Sequence, residues 1–411
     1  MSSTFPGPGN LDVFTQDQPV LVKRAGTADI IGFGHDGTYI LRNSVRPDVR
    51  LVSQSFTYTE GWRKEQHLRV VGDTTGDGLA DIIGFGNPGT YTSRNNGDNS
   101  FGPIVLKLSA FGTDQGWDNT KHVRYAIDLR KKGYVDLVGF GARGVYVAKN
   151  NGDGTFAPAT LVLSNFGYDN DVGTWRTESH LRFFADTTGN GLPDIVAFGG
   201  SQVFSATNKG DGTFNPIQAL NVNSFTTTQN WVVNRHPRTL ADLTGDKRAD
   251  MIGFGTKGVW VAYNNGNGTF RPAQLVLNEF GTDGGWDSNL HPRFVVDLTG
   301  DGRADIIGFG NTGVWVAKNN GNGTFQPSQL VMNAFGVSQT WQVGKHPRFV
   351  VDLTGDGCAD IIGFGWDAVY VAYNKGDGTF GEQQKLTSGN FSYNDGQWDI
   401  EKTVRWVANL F

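Results

Sequence analysis

The stretch spanning residues 291–310, HPRFVVDLTGDGRADIIGFG, recurs almost unchanged along the chain. Its Gly-Phe-Gly core, Ala-Phe-Gly in one copy, stands at 32–34, 84–86, 139–141, 197–199, 253–255, 308–310 and 363–365. Successive central phenylalanines are 52, 55, 58, 56, 55 and 55 residues apart. A steady period of this length marks a repeat architecture in which each copy is one supersecondary unit. Any site built from repeated residues is then present several times.

One copy, 291–345, shows what the unit is. Residues 293–298, 305–309, 314–317 and 329–333 are short apolar or β-branched runs. Between them stand Thr-Gly-Asp-Gly, Gly-Asn-Thr-Gly and Asn-Asn-Gly-Asn-Gly, and Asn-Gly between apolar runs is a strong hairpin signal. No segment keeps a helical period. The unit is therefore a four-stranded antiparallel meander, which cannot bury both faces alone. Seven of them packed around an axis predict an all-β fold, a seven-bladed β-propeller. The first copy lacks its first strand, and 404–411 matches the missing one, so the C-terminal strand is expected to close the first blade and leave no open edge. On this reading residues 1–19 are an N-terminal extension and 20–411 a single propeller domain.

The bulk numbers agree. With 28 Phe and 11 Trp the chain can bury a substantial core, and its 58 glycines fall at fixed places in the repeat, as turns do. A net charge of −5 without a basic run argues against nucleic acid as a partner. A single cysteine excludes an intrachain disulfide. No apolar run is long enough for membrane insertion, and no secretory signal is visible. The expected location is cytoplasmic, or outside the cell by release without a signal peptide.

In an up-and-down meander, alternate connections lie at opposite ends. One end receives the Asp-rich loop between strands one and two. It reads Asp73/Asp77/Asp81, Asp186/Asn190/Asp194, Asp242/Asp246/Asp250, Asp297/Asp301/Asp305 and Asp352/Asp356/Asp360. Carboxylates at every fourth place around a glycine turn can converge on a hard cation. These loops resemble the calcium loops of integrin-type propellers, with Thr where those carry a further Asp, and imply structural calcium in some of them. The alternative is that the acids brace turns by local hydrogen bonds. The third copy, 128–136, has Lys132 at the middle position, where it could neutralise Asp128 and Asp136 without a metal.

The other end receives the Gly-Phe-Gly turn and the long link between blades. That link carries Trp62, Trp117, Trp175, Trp231, Trp286, Trp341 and Trp398. Each Trp but the last is followed by His-x-Arg: His67/Arg69, His122/Arg124, His180/Arg182, His236/Arg238, His291/Arg293 and His346/Arg348. The seventh copy has Thr403 and Arg405. An aromatic face beside donor-rich side chains suits a sugar, whose C–H face packs on the ring while its hydroxyls accept hydrogen bonds. Against this, Trp could seal blade to blade and Arg could cap strand carbonyls. The Phe of Gly-Phe-Gly is assigned to the core, and Tyr39, Tyr91, Tyr146, Trp260, Trp315 and Tyr370 to packing between blades.

The set GFGxxGV(Y/W), NNGxGTF, FG, GW and HxRFxxDLTGD, covering about 20–411, resembles the mushroom lectins of the Psathyrella velutina type. The resemblance implies a seven-bladed propeller like the integrin head, with calcium in some Asp loops. It also implies pockets between neighbouring blades for terminal N-acetylglucosamine, and in some members for N-acetylneuraminic acid. Six pockets in that family agree with six complete His-x-Arg copies. The chain departs from the pattern at Ala197 and at 226–231, where TTTQNW replaces the usual approach to Trp.

The function this predicts is a multivalent, non-enzymatic lectin whose partners are glycans and glycoproteins with terminal N-acetylglucosamine. The alternative is an integrin-like propeller that binds a protein. That would call for one diversified patch, whereas these copies are alike. A glycosidase would need a singular carboxylate pair, and the acids here recur at turn positions.

Overall fold

The computed structural model describes residues 28–43, 48–169, 174–388, 390–395 and 398–411. The expected extension 1–19 and the run 20–27 lie outside them. The described residues form seven four-stranded antiparallel sheets arranged as the blades of one ring. Blade 6 has strands Arg293–Val296, Asp305–Phe309, Val314–Ala317 and Gln329–Met332, within two residues of the runs expected from sequence. Blades 2, 3, 4, 5 and 7 repeat it over 69–108, 123–163, 181–220, 238–277 and 348–388. Blade 1 is composite. Val404–Ala408 pairs antiparallel with Asp29–Phe33, placing Phe33 opposite Val404 and Asp29 opposite Ala408, so the last strand completes the first sheet.

The burial pattern follows from position in the blade. First strands of neighbouring blades approach one another around the axis. Second strands, Asp-Ile-Ile-Gly-Phe in four blades, are buried at every residue because both faces meet adjacent blades. Fourth strands are the outer edge, and six of the seven carry a register shift against the third, which twists the edge away from further pairing. Core clusters form between blades: Phe254, Val259, Val261 and Phe280 pack with Val295, Ile306 and Phe325 of the next blade. Among the described residues no helix is long and apolar enough to cross a membrane.

Candidate functional site

The two ends of the ring are built from different chemistry. At the Asp-loop end of blade 6, Asp297 Oδ1 accepts the amides of Thr299 and Gly300 at 3.0 and 2.7 Å, and its Oδ2 accepts Gly302 N at 2.8 Å. Asp305 is buried. Its Oδ2 accepts Leu298 N and its Oδ1 accepts Asn319 N at 2.7 Å. Burial raises its pKa to about 6, against the pull of those amides. The same arrangement holds Asp73 and Asp81, Asp186 and Asp194, Asp242 and Asp250, and Asp352 and Asp360.

The middle residue of each loop is engaged elsewhere. Asp77, Asp246 and Asp301 pair with Arg94, Arg248 and Arg303 at 3.1, 2.5 and 2.6 Å. Asn190 and Asp356 have no such arginine. Each is exposed and closes its own turn: Asn190 Oδ1 accepts Leu192 N at 2.8 Å, and Asp356 Oδ1 accepts Cys358 N at 2.9 Å.

Calcium would need these oxygens to converge. Instead the outer acids accept amide protons, and the middle residues, Asp77, Asn190, Asp246, Asp301 and Asp356, are spent on an arginine or on the turn. No three His, Cys, Asp or Glu side chains among the described residues gather into a metal-sized group. In this arrangement the five predicted metal sets act as turn braces, their oxygens directed to amides and arginines and not to a common centre. The physical reason is local: a glycine turn presents several amides within reach of one carboxylate, and they take its lone pairs.

In blade 3 the cation that meets the buried acid is Arg130, bidentate to Asp136 at 2.7 and 3.0 Å. Lys132 is exposed and contributes its backbone amide to Asp128. Arginine wins because its planar fork matches a carboxylate, and from two residues after Asp128 it reaches across the turn.

A second set at this end escaped the sequence reading. The Asn two residues after the third strand of each blade reaches into the preceding blade, and in six blades it heads an Asn-x-Gly turn. Asn319 Nδ2 donates to Leu243 O and Ala304 O at 2.9 Å, and Asn374, Asn264, Asn208, Asn150, Asn95 and Asn43 do likewise around the ring. Recurrence beside glycine made them look like turn formers alone.

At the opposite end, the Gly-Phe-Gly turn and the interblade link are tied by backbone bonds such as Asp114 N to Asn87 O at 3.0 Å. Each link begins with a phenylalanine in the left-handed region: Phe56, Phe111, Phe166, Phe225, Phe280, Phe335 and Phe391, at φ 59–73°. That conformation costs about 1–3 kcal/mol for a bulky residue and persists only where the surroundings hold it. Here the arginines hold it. Nη1 of Arg69, Arg124, Arg182, Arg238, Arg293, Arg348 and Arg405 donates to the carbonyl of that Phe at 2.6–3.2 Å. Each guanidinium also lies 5.2–5.8 Å from the Gly-Phe-Gly phenylalanine of the preceding blade. The arginines thus staple blade to blade, and burial pulls their pKa values down to about 9 or 10.

The tryptophans cover the first glycine of the turn. A Cβ on Gly308 would stand 2.6 Å from Trp286 and 2.9 Å from Phe280. In blade 4 that glycine is Ala197. There Trp175 stands at 74° to Phe166, against 39–56° in the other six pairs, so the methyl group is accommodated by turning the ring. The variant stretch before Trp231 keeps its short helical turn, Thr227–Gln229, closed by Asn230 at φ 65°. Trp117 and Trp286 are half-buried, while Trp62, Trp175, Trp231, Trp341 and Trp398 are buried.

The histidines define what is left to offer. In all six, Nδ1 accepts a backbone amide at 3.0–3.2 Å: Arg63 for His67, Asp118 for His122, Arg176 for His180, Val232 for His236, Asp287 for His291 and Gln342 for His346. The proton therefore sits on Nε2, which points to the residue after Gly-Phe-Gly. His67 donates to Asn87 at 2.6 Å, His291 to Asn311 at 2.9 Å and His236 to Thr256 at 3.3 Å. Nε2 of His122 and His346 finds no acceptor on the protein. Burial, aided by neighbouring Arg124, Arg182 and Lys121, pulls His122 down to about 4 and keeps it neutral. In the seventh copy Thr403 spends its hydroxyl on Asp399 O within its own turn.

This end therefore carries six equivalent neutral N–H donors between blades, beside a turn residue that differs from copy to copy: Asn87, Ala142, Gly200, Thr256, Asn311 and Trp366. Sequence reading followed what repeats and passed over this position. Variation at a fixed place in the repeat was the available signal.

The architecture belongs to the repeat propellers: the model of the FG-GAP-like repeat matches residues 186–252 and 297–346. A lectin of Agrocybe aegerita, described as recognising non-reducing terminal N-acetylglucosamine, is similar over 97% of this chain and 99% of its own, at 53% identity and a TM-score of 0.93. The chain belongs to the family of that lectin. Two other similar structures are the Photorhabdus luminescens Tc holotoxin pore (15% identity, TM-score 0.47, 86% of this chain and 16% of that one) and a Bacillus licheniformis rhamnogalacturonan lyase (12%, 0.36, 87% and 71%). Likenesses of that order say nothing about function here. No curated protein sequence matches the chain.

Proposed function

We propose that this protein is a multivalent lectin that binds non-reducing terminal N-acetylglucosamine at repeated sites between blades, on the end that carries the histidines. The full-length likeness at 53% identity to a lectin of that specificity carries the reading. At His122 and His346 the open Nε2–H donates to a sugar hydroxyl, and at His67, His236 and His291 it orients Asn87, Thr256 and Asn311 beside the sugar. The buried Trp and Arg of the predicted set hold this geometry. The half-buried rings of Trp117 and Trp286 offer a face to the sugar. Single sites of this kind are weak, and several on one ring raise avidity by roughly 10²–10⁴ where the glycan can span them. The chemistry is binding without catalysis.

The finer likeness, to lectins of the Psathyrella velutina type, rests on the repeated motifs and brings N-acetylneuraminic acid as a second ligand. Calcium belongs to the proposal only at the Asp loops, where a cation would have to displace the amides now held by pairs such as Asp297 and Asp305 and draw the middle residue inward. It has no part in the sugar sites at the opposite end. A glycan array run with and without a chelator tests the sugar specificity, the second ligand and the independence of the sugar sites from calcium. The expected result is binding to N-acetylglucosamine termini in both conditions. Silence on every glycan, with retention of one protein partner, would replace this reading with an integrin-like propeller.

A further inference from the structure

Blade 7 departs from its sisters. Where blades 2 and 6 carry Asn87 and Asn311 as acceptors for the histidine, blade 7 carries Trp366, which is 49% exposed. Among the described residues it is the one tryptophan with about half its surface open; the others are buried or half-buried. Packing does not require a ring there, because Asn, Ala, Gly or Thr fills the same place in blades 2 to 6, while blade 1 carries His35 stacked on Tyr58. Nor is the ring loose. Trp366 O accepts Asn394 N at 2.7 Å, and the adjacent Gly365 O accepts Tyr393 N at 3.0 Å. The next residue, Asp367, is fixed by Tyr370 and Lys385. Tyr393 packs against the indole with ring centroids 5.2 Å apart and planes 31° apart, so the two rings form one platform. Lys345 Nζ lies 5.8 Å from one ring and 5.3 Å from the other. His346 is 6.1 Å from Trp366 and buried, with its Nε2–H lacking any acceptor on the protein.

A buried, unpartnered donor beside a rigid, open aromatic platform is an arrangement for a ligand with a hydroxyl at one end and an apolar ring face at the other. We infer that the blade 7 site reads two sugar units: His346 donates to the terminal one, and Trp366 with Tyr393 stacks against the C–H face of the next. This rests on the lectin reading above and adds to it that one site is selective for chain length. Blades 2 and 6 have no such platform. Their histidines spend the Nε2–H on Asn87 and Asn311, and the positions matching Tyr393 are Thr113 and Val337.

The test titrates the full chain by calorimetry with N-acetylglucosamine and with its β1,4-linked disaccharide, in wild type and in Trp366→Asn, the residue blades 2 and 6 already tolerate. Wild type is expected to show one site that prefers the disaccharide by about 3–10-fold, the range of one aromatic stacking contact. In Trp366→Asn that preference should fall to within about twofold of unity. Iodide quenching of wild-type fluorescence gives a reading independent of the variant's folding: the disaccharide should protect the exposed indole more than the monosaccharide does. An unchanged preference in the variant, or equal protection by both sugars, overturns the two-unit site and leaves the lectin reading intact. Absence of heat with either sugar in wild type overturns both.

Discussion

The two ends of the ring treat the same repetition in opposite ways. At the Asp-loop end, repeated polar groups meet repeated partners: acid to amide, and asparagine to the carbonyls of the neighbouring blade. At the histidine end, the framework is equally regular, but the turn residue facing each Nε2–H changes, and the Nε2–H of His122 and of His346 is left without an acceptor on the protein. The lesson is that one end closes the ring and the other faces a ligand. An open donor beside a residue that varies from blade to blade is the mark of recognition.

The strongest way to break that contrast is at the closing end. Asn374→Ala removes a buried side chain that serves Leu298 O, Ala359 O and Gly376 N. The expected cost is about 2–4 kcal/mol, since buried partners are left unpaired, read as a lowered urea midpoint with the number of sugars bound unchanged. A cost within measurement error would show that the asparagine ring does not join the blades.

Gly308→Ala comes next, at about 1–3 kcal/mol, because the new methyl group meets Trp286 and Phe280. Near-UV circular dichroism should shift as Trp286 turns toward the edge-on orientation that Trp175 already takes over Ala197. At the recognising end, His291→Ala should weaken one site by roughly tenfold, the worth of one hydrogen bond, and leave agglutination largely intact. Complete loss of agglutination from that single change would contradict independent sites.

The pH dependence of stability separates the two ends. Asp250 has its pKa raised to about 7 by burial and by Asp246 and Asp242, so its contribution to stability is present below its unfolded value near 4 and is lost as pH rises through 7. His346 is lowered to about 4 by burial, Arg348, Lys345 and Arg405, so its contribution is present above 6.5 and is lost as pH falls through 4. Thermal melts of Asp250→Asn should therefore close on wild type as pH rises from 5 to 8. Melts of His346→Gln should close on wild type as pH falls from 6.5 to 4. Parallel curves in both cases would show that the two ends do not titrate oppositely.

The period and the apolar runs made the fold legible, because a blade cannot bury its faces without neighbours. The split first blade was legible because 404–408 carries the missing strand pattern. The histidine end was legible as a place, since six of the chain's seven histidines share one repeat position. What stayed hidden depends on reach and direction. Spacing put Asn190 and Asp356 in line with the outer acids, but it could not show that their oxygens turn to the amides of Leu192 and Cys358. The pairing of Arg130 with Asp136, the asparagine bridges between blades and the left-handed phenylalanines clamped by arginine likewise need three-dimensional proximity. Trp366 was visible in the sequence, but a search for what repeats passes over what differs.

The most direct test of the account is a count of sugars per chain. Native mass spectrometry of the intact protein titrated with N-acetylglucosamine should resolve a ladder of bound states reaching several and up to six per chain, one for each histidine-bearing interface. A spectrum that stops at one bound sugar, or shows none, would contradict repeated recognition around the ring.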